Sequence, residues 1–366
     1  MDAARRAVAA RYPGRSVVLT NSGTAALTLA FAASRRASGS PLRVALPAYA
    51  CPDIGTAVIG AGGELVLYDV DPTTLAPDLT SVRQSLQLGT THLLAVHLLG
   101  RLVDVTALAA VAAETGAVLV EDAAQHAGAT WHGVRGGALA DWSILSFGRG
   151  KGLNAGGGGA LLYRAANDQV ADRANQLEAS LASPSRLDAV RTLIMAAVAE
   201  WCSHPAVYAV PASIPALGLG DTVYHPPSPL GAMHTTAAAL LVEALEREPE
   251  ELRIRRAADA WFRAALGDRS PMMLAPPPTG MVTGALRFPV HLPAGDVLTW
   301  KRHGVWRSYP RTLAEYPELQ PHIANLEAPL PGARALAATL HTLPTHSRVT
   351  TADRERLVTL LRGLSR

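Results

Sequence analysis

Lys151 and Lys301 are the only lysines in a chain whose 33 basic residues are otherwise arginines. Lys151 stands in "SFGRGKGLNAGGGGALL", residues 146–162, five positions after Ser146 and among glycines at 148, 150, 152 and 156–159. A lysine in a desolvated or cation-rich pocket can lose its proton and attack a carbonyl to form a Schiff base; an arginine guanidinium cannot. Two other stretches carry chemistry. Asn21-Ser22-Gly23-Thr24-Ala25-Ala26-Leu27 follows "VVLT": small residues opening a helix present free N–H groups and a positive dipole end, which suit a phosphate, and the Thr24 hydroxyl adds a donor. Glu121-Asp122-Ala123-Ala124-Gln125 follows "AVLV" and sets a carboxylate at the end of an apolar run, beside two small residues that let the chain pass close to a flat ligand. Each stretch also has an ordinary reading. Ser-Gly-Thr is a common N-cap, Asp122 can cap the next turn, and a lysine in a glycine loop can be a phosphate contact or a surface charge.

The elements that must position these groups read as an α/β domain. Apolar runs "SVVLT", "RVALP", "ELVLYDV", "THLLAVHLL", "AVLVEDAA", "WSILSF" and "GALLYR" alternate with helical stretches from residue 17 to residue 163. That alternation predicts a mostly parallel sheet with helices on both faces, a three-layer α/β fold. Ligands of such sheets sit beyond the carboxyl ends of the strands, where all three stretches fall.

A phosphate cradle, then a carboxylate, then a lysine, across one α/β domain, is what pyridoxal 5′-phosphate needs: a helix N-terminus for the phosphate, a carboxylate to keep the pyridine nitrogen protonated, a lysine for the Schiff base. A P-loop requires Ser or Thr after the lysine, and Gly152 stands there. A dinucleotide site would place its glycines after the first strand, whereas this glycine run comes late.

Composition excludes other classes. With 366 residues and 49% hydrophobic content the chain can bury a large core and suggests two domains, 1–240 and a smaller C-terminal α/β domain, 241–366. The net charge of +3 is mild, and arginines such as Arg253, Arg255 and Arg256 alternate with glutamates as on a solvated helix face, so no nucleic-acid partner is expected. Cys51 and Cys202 fit no metal spacing or disulfide framework, which predicts a reducing compartment and no metal. "MDAARRAVAARYPGR" lacks a signal's apolar run and reads as a short amphipathic helix, so a cytoplasmic location is expected. Residues 201–220 carry no Asp, Glu, Lys or Arg, but Pro205, Pro211 and Pro215 break any spanning helix and favour a buried or interface-lining loop. In the second domain, "AAALLVEALERE" and "TADRERLVTLLR" predict helices, the latter capped by Thr350 or Thr351, and "ALRFPVHL" a strand. His291, His303, His322, His341 and His346 have no ligand spacing and read as structural or surface residues. Lys301, beside Trp300, reads as a packed, snorkelling side chain, while Arg307 and Arg311 are within reach of an anionic substrate group.

The chain resembles the DegT/DnrJ/EryC1/StrS family, the sugar aminotransferases of the aspartate aminotransferase-like fold (fold type I). "SGTAAL", "LPAYACPDIGTAVIGAGGELVLYDVDPTTLAPD", "AVHLLGRLVD", "VLVEDAAQHAGA", the lysine segment and "LPTHSRVTTADRERLVTLL" follow the family's order and spacing. The resemblance implies that Gly23, Thr24 and Ala25 bind the cofactor phosphate and that Asp122 partners the pyridine nitrogen. It further implies that Gln125 lies near the 3′-oxygen, that Ser146 helps hold the phosphate, and that Lys151 is the Schiff-base residue and proton shuttle. Some members carry a histidine in place of the lysine and dehydrate their substrates; Lys151 therefore argues for transamination.

Three positions depart from the family. Its ring against the cofactor face falls at Cys51, for which Tyr49 is the nearest substitute; its acid after the lysine is Gly157; and its Asn-x-Arg from the neighbouring subunit falls at Leu230 and Ala232. The resemblance implies a homodimer with its site at the subunit interface, moving an amino group from an amino acid, L-glutamate by resemblance, to a nucleotide-activated keto-sugar. Two alternatives stand beside it: an acceptor that is a cyclitol, aldehyde or other ketone, or a catalytically silent regulatory protein that binds pyridoxal phosphate.

Overall fold

The computed structural model describes residues 1–35, 39–165, 168–184, 222–267, 272–293, 300 and 303–364. Cys202, the 201–220 stretch and Lys301 lie outside the described residues.

Seven of the apolar runs form one sheet. They are β1 (Ser16–Thr20), β2 (Arg43–Pro47), β3 (Glu64–Tyr68), β4 (His92–Val96), β5 (Val118–Asp122), β8 (Trp142–Ser146) and β9 (Gly159–Tyr163). A short hairpin, β6 (Thr130–Trp131) and β7 (Val134–Arg135), interrupts the series. The strand order is β1-β9-β8-β5-β4-β2-β3; β9 runs against both of its neighbours, and the pairs from β8 to β3 are parallel. Successive residues point to opposite faces, so Val18, Ile144 and Leu161 enter one hydrophobic cluster while Val17, Leu19, Leu145 and Leu162 enter another. Helices α2 (Gly23–Ser34), α3 (Asp53–Gly60), α4 (Leu79–Leu86) and α5 (Val105–Thr115) contribute buried residues to the first cluster. The second receives α1 (Asp2–Arg11) and the start of a long helix, and α6 (Asp168–Ala179) buries Ala174 in the first. The result is the expected three-layer, mostly parallel architecture.

That long helix, α7 (Thr235–Leu266), extends well beyond the predicted "AAALLVEALERE". Its first half buries Ala237, Ala238, Leu241 and Leu245 against the large sheet, and its second half buries Phe262 in a third cluster with Phe288, Val290, Leu343 and Leu361. Pro249 lies inside it and has no N–H for the carbonyl of Leu245. Arg11 supplies the donor instead: its Nη2 donates to Leu245 O at 2.8 Å, and its Nη1 lies 3.2 Å from Glu248.

The C-terminal part carries a second sheet, β11 (Arg287–His291), β13 (Leu340–Pro344) and β12 (Trp306–Arg307) in that order, all antiparallel. Helices α8 (Pro331–Thr339) and α9 (Thr351–Leu364) follow the 300–330 segment and the second sheet in chain order. Thr350 caps α9 reciprocally: its Oγ1 accepts from Asp353 N at 3.2 Å, and Asp353 Oδ2 accepts from Thr350 N at 3.0 Å. A third sheet, β10 (Met281–Val282) on the β6–β7 hairpin, joins residues 150 positions apart in sequence, a pairing with too few residues to leave a sequence signal. Among the described residues no helix is long and apolar enough to cross a membrane, and no three His, Cys, Asp or Glu residues group as a metal site.

Candidate active site

The predicted phosphate segment opens α2, with Ser22 as its N-cap: Ser22 Oγ accepts from Ala25 N at 3.0 Å. Ala25 is thereby capped within the chain, whereas Gly23 and Thr24 begin the helix with N–H groups that have no carbonyl one turn back. Gly23 faces Ser146 so closely that a Cβ on it would stand 2.7 Å from Ser146 Cβ and 2.8 Å from its Oγ. The pairing of β1 and β8 with β9 brings this about, because Thr20 and Ser146 both stand opposite Gly159. Helix N-terminus and hydroxyl therefore converge although they lie more than 120 residues apart.

Lys151 rides on a loop closed at its base by Phe147 N to Gly158 O at 2.9 Å and Ala155 N to Phe147 O at 2.9 Å. The loop seats on the turn after β5: a Cβ at Gly152 would come within 2.5 Å of Ala127 Cα. The half-buried Lys151 ammonium thereby faces the carboxylate of Asp122 and the Cys51 thiol electrostatically. Asp122 is buried, with Oδ1 accepting from Ala124 N at 2.9 Å. Burial raises its pKa, against the opposing pull of the Ala124 N–H and the Lys151 charge. A buried carboxylate raised in this way gains most from a cationic partner, which suits it to a protonated ring nitrogen. Burial likewise pushes the Cys51 thiol up to about 12, so this cysteine is no thiolate nucleophile.

Gln125 is held on both ends. Its Oε1 accepts from Leu99 N at 3.0 Å and its Nε2 donates to the Tyr309 hydroxyl at 2.6 Å. Leu99 adopts a left-handed φ of 58° in the turn after β4, a strained conformation for a non-glycine residue that directs its N–H at the Gln125 amide. Tyr49 is wholly buried; its hydroxyl accepts from Tyr309 N at 3.1 Å and its ring meets that of Tyr309 edge-on at 5.5 Å. Tyr309, 184 residues beyond Gln125, had no motif to announce it. Arg307, by contrast, donates from Nε to Ala337 O at 2.9 Å, and Arg311 lies 5.8 Å from the centre of the Tyr316 ring.

The departures from the family also find their places. A Cβ at Gly157 would meet nothing within 4 Å, so the missing acid leaves open space. The 230–233 segment lies along the edge of β1, with Asn21 N donating to Gly231 O at 2.7 Å and Thr20 bridging Ala232.

The fold has solved counterparts. DesV of S. venezuelae, solved in complex with a ketimine intermediate, matches over 99% of this chain and 88% of its own with a TM-score of 0.76 at 21% identity. The fold class is that of the type I pyridoxal-phosphate-dependent transferases. The model of the DegT/DnrJ/EryC1/StrS aminotransferase family matches residues 5–362, and the chain belongs to that family. Among characterised relatives, the L-glutamine:2-deoxy-scyllo-inosose aminotransferase of Streptomyces lividus is 37% identical over 146 residues, 40% of this chain and 34% of that protein. The dTDP-4-dehydro-2,3,6-trideoxy-D-glucose 4-aminotransferase of Saccharopolyspora spinosa is 35% identical over 161 residues, 44% and 41% of the two chains. The matched region thus spans well under half the length of these relatives.

Proposed function

We propose that this protein is a pyridoxal-phosphate-dependent aminotransferase that moves an amino group from an amino acid, L-glutamate in the first instance, to a keto-sugar carried on a nucleotide. The observation that carries the reading is the meeting of the Lys151 loop, the buried Asp122 and the Gly23–Ser146 cradle at one end of the large sheet. The residues present fit the cofactor: the α2 N-terminus and Ser146 would hold its phosphate, Asp122 its pyridine nitrogen, Gln125 its 3′-oxygen and Lys151 its aldehyde carbon. Bound there, pyridoxal phosphate supplies an electron sink for the carbanion formed when the donor loses its Cα proton. Lys151 Nζ, half-buried beside Asp122 and Cys51, would take that proton. Asp122 would stay charged through its cationic partner, and Gly157 leaves open space on the Lys151 loop.

Family membership supports a homodimer with the site at the subunit interface, and a cytoplasmic location belongs to the same reading. A second acceptor class, a free cyclitol ketone, is favoured by the relative from S. lividus and by Leu230 and Ala232 standing where the family carries Asn-x-Arg. The test is direct. Purified protein mixed with pyridoxal phosphate should gain a visible absorption band, lose it with glutamate, and regain it with the true acceptor. UDP- and dTDP-linked keto-sugars tried against free cyclitol ketones separate the two classes. Protein that stays colourless overturns the reading, and a band indifferent to every amino acid reduces it to a silent cofactor binder.

A further inference from the structure

The family's ring against the cofactor is missing at Cys51, and Tyr49 lies too deep to replace it, wholly buried behind another phenol. That phenol is Tyr309. It comes from the loop after β12, yet it reaches the large domain's site, hydrogen-bonded to Gln125 and close enough to Cys51 and Asp122 for both to act electrostatically on its hydroxyl. The hydrogen-bond directions are fixed. Leu99 N–H occupies Gln125 Oε1, so Nε2 must face Tyr309, and the phenol oxygen can only accept from it. The phenol's own proton is therefore directed away from Gln125, and the second N–H of the Gln125 amide is likewise directed away from Tyr309. Burial raises the phenol pKa well above its ordinary value, with the neighbouring Cys51, Tyr49 and Asp122 adding to it, so the group remains a neutral donor.

We propose that Tyr309 is a cofactor-positioning residue supplied by the small domain: it fixes the Gln125 amide for the cofactor's 3′-oxygen and provides the aromatic surface that Cys51 does not. The role rests on the cofactor reading above. It makes the placement of the β12 loop a condition for tight cofactor binding.

The test measures pyridoxal phosphate affinity, by quenching of tryptophan fluorescence, and the pH midpoint of the visible band, in wild type, Tyr309→Phe, Tyr309→Leu and Tyr309→Leu/Cys51→Tyr. Loss of one aromatic contact and its hydrogen bond predicts a dissociation constant raised about tenfold or more in Tyr309→Leu. Tyr309→Phe keeps the ring and the packing; it should bind within about threefold of wild type, a difference well under 1.4 kcal/mol, but move the pH midpoint of the band. Cys51→Tyr should recover most of the affinity lost in Tyr309→Leu. If wild type binds and Tyr309→Leu binds equally well, or Tyr309→Phe leaves the midpoint in place, or Cys51→Tyr restores nothing, the role of Tyr309 is overturned and the aminotransferase reading stands. If wild type itself binds no pyridoxal phosphate, both are overturned together.

Discussion

Glu121, one residue before Asp122, accepts a hydrogen bond at Oε1 from His97 Nε2 at 2.8 Å, with both side chains wholly buried. The tautomer is fixed, because His97 Nδ1 accepts from Val103 N at 3.2 Å and leaves the proton on Nε2. Glu121 also accepts from the backbone N–H groups of Gly137, Leu139 and Ala140 and from Ser143 Oγ. Burial alone would raise its pKa; the hydrogen bond from His97, with the N–H groups of Gly137 and Ala140, outweighs burial and holds it below the usual range. Glu121→Gln replaces acceptor lone pairs with an NH2 facing donors, so it should cost about 3 kcal/mol in chemical denaturation. A loss under about 1 kcal/mol would show that the charge at this position is dispensable.

Lys151→Arg keeps a positive charge opposite Asp122 but cannot give up its proton, so it should fold like wild type, show no visible band with pyridoxal phosphate, and leave the glutamate half-reaction undetectable. Asp122→Asn is expected to keep the band while slowing the half-reaction by about a hundredfold or more, since it removes the charge facing the ring nitrogen. Stopped-flow absorbance distinguishes the two. A fast half-reaction in Asp122→Asn would assign this carboxylate to structure alone.

The contact between Gly23 and Ser146 leaves no room for a methyl group. Gly23→Ala should lower thermal stability, by about 1–3 kcal/mol, and weaken cofactor binding. Adding Ser146→Gly removes the clash and should return the melting temperature, but not the affinity, because the hydroxyl that helps hold the phosphate goes with it. Affinity and stability recovering together would exclude Ser146 from the phosphate site.

Two histidines make stability depend on pH. Burial, with nearby Arg135, lowers His126 to about 3, and burial with Arg287 lowers His346 to about 4. Unfolded histidine titrates near about 6.5. Their stabilising contribution is therefore complete above that value. As the pH falls from there toward the folded-state values, the unfolded chain binds protons that the native state refuses, at up to about 1.4 kcal/mol per pH unit for each group. His346→Gln should flatten the slope between about pH 6 and 4.5 by one group's share. An unchanged slope, compared with wild type in the same buffers so that the carboxylates cancel, would contradict the assignment.

Much of this molecule was legible in its sequence because its strands are short apolar runs and its chemical groups sit directly after them. "SVVLT", "RVALP" and "WSILSF" are strands within a residue of the expected bounds, and Gly23, Asp122, Ser146 and Lys151 are brought to one end of the sheet. Long-range packing was not legible. Tyr309 reaches Gln125 through the fold of the 300–330 segment, which leaves no local spacing to read. Arg307 looked like an anion clamp, but a free guanidinium and one spent on the carbonyl of Ala337 look alike in a sequence. The prediction for α7 stopped short of Pro249, where an isolated helix would break, because the guanidinium that takes up the orphaned carbonyl comes from residue 11.

That last arrangement makes the first helix a splint across a weak point in the longest one. The two halves of α7 are embedded in different hydrophobic clusters, and Pro249 is where bending between them meets least resistance. A chain shortened by its first twelve residues would leave the Leu245 carbonyl without its donor and Glu248 with one guanidinium fewer. The α1 contact is thus a bridge laid across the one proline of that long helix, joining the two turns that Pro249 would otherwise leave less firmly bonded.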